Sequence, residues 1–227
     1  MRFLSQRNIF VVSALILVSA AAGYFVWRDF NGIQNQAVTE PNSGQVINDK
    51  PDYGQVKVQE KAVNKTYAAV EPNVPNLDRP VKVSANLSEG EKEKFVSEIK
   101  EISAALKDNH NDFDRWLQLG ILQKMIGDYD GAAESWNFAA VISPKSTIPF
   151  LNLADLYAYY FRNNKKAEES FALAVAADPQ NSFPYFQIAR FYDDVLKDKE
   201  RARNILRQGI SAGADAADYL KLLLDSL

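Results

Sequence analysis

From Ser88 to Leu227 apolar residues recur at three- and four-residue intervals, the spacing that lines one face of an α-helix. The first stripe is Phe95, Ile99, Ile102 and Leu106. Ahead of it, Ser88-Glu89-Gly90-Glu91 has the spacing of a capping box, so a helix is predicted over about 88–108. The pattern then repeats three times with a period of about 35 residues. Ala132, Ala167 and Ala202 mark the period, followed by Ala139, Ala174 and Gly209, and each unit opens on a large residue, Trp116, Phe150 or Tyr185. Each unit reads as two helices joined by a turn. That turn is Gly127-Asp128 in the first unit, and one residue longer in the next two, through Asn163-Asn164 and Lys197-Asp198. Pro144 and Pro179 stop the second helices, because proline cannot donate to the ladder and restricts the residue before it. A last stripe, Tyr219, Leu220, Leu223, Leu224 and Leu227, predicts a closing helix over about 215–227.

Two antiparallel helices approach closely only where side chains are small. Ala132 and Ala167 therefore face Gly120, Ala154 and Ala189, and the bulky Trp116, Phe150 and Tyr185 fill the space beside them. With Leu119, Gly120, Trp136, Ala139 and Pro144 added, the first unit resembles the tetratricopeptide (TPR) signature, departing from it at Gln123, where an aromatic is usual. The second unit matches with Phe150, Leu153, Ala154, Tyr157, Ala167, Phe171, Ala174 and Pro179. The third is degenerate and lacks the final proline. The resemblance implies an all-α, TPR-type α-solenoid over 88–227, with repeats at about 113–146, 147–181 and 182–215 and a capping helix at each end. Such arrays are extended binding surfaces and rarely catalytic ones.

In this family the first helix of each pair lines the concave side. That assigns a peptide-binding groove to Gln118, Ile121 and Met125, then Asn152, Asp155 and Tyr159, then Gln187, Arg190 and Asp194. Two flanking rows are Leu117, Leu151 and Phe186, and Asp114, Ile148 and Phe183. These rows are more apolar than solvent exposure favours, which points to a partner protein or peptide segment with apolar anchors. Coverage by the chain's own capping segments is the competing explanation. The family's clamp for acidic C-terminal tails uses Lys, Asn and Arg. Here only Asn152 remains, with Leu117, Ile121, Phe183 and Gln187 at the other positions, so acidic-tail recognition is disfavoured. The Pro-stiffened run Val74–Val83 offers Leu77, Val81 and Val83 and is expected to fold back into the groove.

Upstream the chain changes in kind. Residues 28–87 hold five prolines, seven Lys/Arg and seven Asp/Glu, and no 3.6-residue period, which predicts a flexible, disordered linker. Ile9 to Trp27 is uncharged for 19 residues, enough to span a bilayer core as a signal-anchor helix. Arg2 and Arg7 precede it, so the positive-inside rule leaves residues 1–8 in the cytoplasm and carries the repeats outside, at a cell membrane of bacterial-envelope type. Ala20-Ala21-Ala22 offers a signal-peptidase site as the rival reading. The apolar run continuing through Tyr24, Phe25, Val26 and Trp27 favours a retained anchor.

The chain has no cysteine, which excludes disulfides, thiolate metal sites and Cys nucleophiles. Its one histidine, His110, stands alone in a polar loop, with no second histidine to make a metal pair. Phosphate-cradling glycine loops and nucleophile elbows are absent, so neither an enzyme nor a cofactor is expected. Residues 88–227 carry 17 Lys/Arg against 22 Asp/Glu, which lacks the basic footprint of a nucleic-acid binder. The expected function is a membrane-anchored scaffold that binds protein through its groove. The alternative is a self-associating envelope protein, for which Ser19 and Gly23 offer a small-xxx-small helix contact.

Overall fold

The computed structural model describes residues 73–227. The predicted cytoplasmic N-terminus (1–8), membrane helix (9–27) and linker as far as residue 72 lie outside the described residues. Among the described residues all regular structure is helical: α1 (Glu89–Asp108), α2 (Phe113–Met125), α3 (Tyr129–Ile142), α4 (Ile148–Asp155), α5 (Asn164–Ala177), α6 (Ser182–Arg190), α7 (Lys199–Ser211) and α8 (Ala217–Ser226). No helix among these residues is long and apolar enough to cross a membrane.

The helices pack in chain order, as three pairs (α2/α3, α4/α5 and α6/α7) between α1 and α8. Their starts are set by local chemistry. Ser88, Asp112, Asp128, Asn163, Asn181 and Asp198 each accept a hydrogen bond from a first-turn N–H, satisfying donors that have no partner within the helix. Ser88 and Glu91 complete the capping box reciprocally. Small residues permit close packing where the period predicts it: a Cβ on Gly120 would lie 2.3 Å from the Trp136 indole nitrogen. That indole donates to the Leu117 carbonyl at 3.2 Å, and the Trp116 indole donates to the His110 carbonyl at 2.8 Å. Gln123, the departure from the aromatic pattern, is buried and accepts a 2.6 Å hydrogen bond from the buried Ser135 hydroxyl.

The extra residue in the second and third units sits in the helix rather than in the turn. α4 and α6 each run on into a π-helical turn, Leu156–Tyr160 and Phe191–Val195. These turns are closed by Phe161 N–H to Leu156 O at 3.0 Å and Leu196 N–H to Phe191 O at 3.2 Å. A residue with positive φ then breaks each helix: Gly127 (81°) in the first unit, but Arg162 (51°) and Lys197 (55°) in the others. Only the first has the residue type that adopts this backbone without steric cost.

Residues 75–87 correct the prediction of a linker continuing to 87. They form an extended strap across α1, α2 and α3, with Pro75, Leu77, Arg79, Val81, Val83, Ala85 and Leu87 half-buried and the residues between them exposed. Leu77, Val81, Val83 and Leu87 pack on the cluster containing Ile99, Leu106, Trp116, Leu119 and Ile126. The N–H groups of Ser84 and Ala85 both donate to the Ile126 carbonyl, at 2.9 and 3.0 Å. Arg79 bridges Asp128 and Glu134 of the first pair, 2.9 Å from each. The strap thus reaches the helices but not by the expected route, since it covers the front of the stack and leaves the face bearing Gln118, Ile121 and Met125 open. The strap is held by both its apolar edge and these polar anchors.

Candidate functional site

The candidate face is built by α2, α4 and α6, whose inward positions are taken by Trp116, Phe150 and Tyr185, all buried. That register turns the opposite positions outward. Ile121 is 45% exposed, Ile148 50% and Phe183 50%, and Tyr159 is also exposed. Gln118, Asp114 and Asp194 are exposed as well; Met125, Asn152, Asp155, Gln187 and Arg190 are half-buried. Leu151 is corrected: it is a core residue, 6% exposed, packed with Phe150 and Ala154 in the cluster between the second and third pairs. Leu117 and Phe186 are half-buried and pack against core clusters, so the flanking row is less open than its composition suggested.

Electrostatics join the three helices. Asp155, in the middle of the face, is pushed up to about 6 by desolvation, with Lys124 from α2 and Arg190 from α6 pulling the other way. Tyr159 is raised above its ordinary range by burial first and by Asp155 second. Neither neighbouring cation reaches the Asp155 carboxylate as a direct contact among the described residues. The Lys124 ammonium lies 5.3 Å over the Tyr160 ring. Arg190 pairs with Asp194 at 3.6 Å and stands 5.7 Å over Phe186. Aromatic contacts continue the face at its far end, Phe183 to Phe186 at 6.1 Å and Phe186 to Tyr219 at 5.9 Å.

Lys124 was absent from the predicted set. Its signal was its place three residues after Ile121, which puts it on the same helical face. Tyr159, which was in the predicted set, sits within the π-helical turn and is exposed there.

A second concavity lies elsewhere, a cleft of about 380 Å³ between the strap and α1–α3, floored by Trp116, Leu119 and Gln123. Most of its charged rim is internally paired, Arg79 with Asp128 and Glu134 and Lys107 with Asp78. The α2/α4/α6 face has the opposite character, with exposed apolar groups and an acid lacking a contact partner. His110 is exposed, and no group of three His, Asp or Glu side chains among the described residues is arranged to hold a metal ion. The chain matches no protein-family model and no curated protein.

Proposed function

We propose that this chain is a TPR-type adaptor, tethered to a membrane by residues 9–27 with its helical array on the extracytoplasmic side, which docks a segment of a partner protein in the groove formed by α2, α4 and α6. The observation that carries the reading is the row of exposed Ile121, Ile148, Tyr159 and Phe183 on one face of three successive first helices. Isolated exposed apolar residues are ordinary, but here each of the three first helices turns at least one large apolar side chain outward, Ile148 and Phe183 at equivalent places in the repeat, and apolar groups gathered on one side serve interaction. The near-absence of the Lys/Asn/Arg clamp directs the reading away from acidic tails and toward segments with apolar anchors.

A photocrosslinker at Ile121, Ile148 or Tyr159 of the full-length protein in cells is expected to trap a discrete partner. The same crosslinker at Glu169 or Asn204, on the second helices, is expected to trap none. Equal capture from both sets would overturn groove docking.

Self-association is a second reading with its own observation, the 69% exposure of Leu222 beside the exposed Tyr219 on the terminal helix α8. Sedimentation of the full-length chain and of Leu222→Asp distinguishes it. A monomeric wild-type protein removes this reading.

A further inference from the structure

We propose that the groove selects a protein segment carrying a lysine or arginine between apolar anchors, its cation seated against the Asp155 carboxylate. The inference rests on the groove-docking reading and adds the chemistry of the docked segment.

Charge complementarity at the centre of the face carries it. Asp155 accepts no hydrogen bond and makes no ion pair among the described residues, although it is the most strongly desolvated carboxylate on the face. The groups that face it are Lys124 from α2, Arg190 from α6 and Tyr159 from its own helix. Both cations are engaged elsewhere, Lys124 over Tyr160 and Arg190 with Asp194 and Phe186. A half-buried carboxylate lacking a counter-ion in contact is unfavourable compared with one to which a cation is delivered. Tyr159 stands exposed beside it, and Ile121, Ile148 and Phe183 are exposed on the three helices of the face, so a segment that buries apolar side chains there brings its own charge into a partly dehydrated setting, where a charge-assisted hydrogen bond is strong. An acidic segment would instead meet Asp155 as a like charge.

The test is selection of random 12-residue peptides displayed on phage against the full-length chain in detergent at pH 7.5. Recovered peptides are then measured on wild type, Asp155→Asn and Tyr159→Ala/Phe183→Ala. Lys or Arg flanked by aliphatic or aromatic residues is expected to dominate the recovered sequences. Norleucine in place of that basic residue is expected to weaken binding on the order of ten-fold to wild type and little to Asp155→Asn. Lowering the pH to 5 is expected to weaken the basic peptide on wild type in the same way, because Asp155 then takes up a proton. Peptides without basic enrichment, sensitive to Tyr159→Ala/Phe183→Ala but indifferent to Asp155→Asn, would overturn this inference and leave groove docking standing. Recovery of no peptide, or binding indifferent to both variants, would remove groove docking and this inference together.

Discussion

Asp155 is expected to weaken the folded chain that carries it. Its carboxyl is raised from 3.8 to about 6, so the folded state holds a proton that the unfolded state has already released between those values. Stability therefore falls as pH rises through that window, and the full deficit is present above about pH 6. Asp155→Asn is expected to raise stability at pH 7 by about 1–2 kcal/mol, with the gain shrinking below pH 6 and vanishing near pH 4. Urea unfolding of the two proteins at pH 7 and pH 4 measures it, and an equal difference at both values contradicts the desolvation account. A stabilised variant that loses basic-peptide binding would separate a docking role from a merely structural one. Arg162 and Lys197 pose a different residue-scale problem, because both hold positive φ without being glycine. Arg162→Gly and Lys197→Gly are each expected to stabilise by about 0.5–1 kcal/mol, read as an upward shift of the thermal midpoint.

Among the elements, the strap is where sequence and structure part. Its alternation from Pro75 to Leu87 is legible afterwards as one buried edge of an extended chain. A 3.6-residue search is blind to it, and the mixed charges of the surrounding residues point to disorder. What holds it, the Arg79 bridge and the paired hydrogen bonds to Ile126, depends on residues 41 to 55 positions away in the chain. The helix pairs were legible for the opposite reason: their caps, small residues and proline stops are local. Gly127 joins the two elements. It needs φ of 81°, and a Cβ there would lie 2.3 Å from the Ser84 hydroxyl. Gly127→Ala is expected to cost about 2 kcal/mol or more and to release the strap, seen as faster amide exchange at Ser84 and Ala85. Arg79→Ala is expected to speed exchange in the strap alone, with α4 to α8 unchanged. Protection lost equally along the chain would mean that the strap is not a separate unit.

At the scale of the described residues, the helix pairs form a row in which each rests on its neighbours, so its ends matter most. Leu220 of α8 is fully buried against the last pair, and Leu220→Ala is expected to destabilise by about 2–5 kcal/mol. Exchange should rise first in α6 and α7, and an increase beginning in α2 would argue against nearest-neighbour packing. At this scale the face of α2, α4 and α6 was legible because the repeat period fixes which side turns outward. Its centre was not. The partial burial of Asp155, the engagement of Lys124 with Tyr160 and the loss of Leu151 to the core follow from how three helices meet, which no single stripe records.

The strap also gives the molecule a mechanical polarity. A pull applied at Asn73 runs along it, loading the Arg79 bridge and the Ser84 and Ala85 hydrogen bonds ahead of the helices that follow in the chain. In a force-extension experiment gripped at Asn73 and Leu227, a small first yield at the strap should precede collapse of the pairs. Arg79→Ala should lower the force of that yield alone.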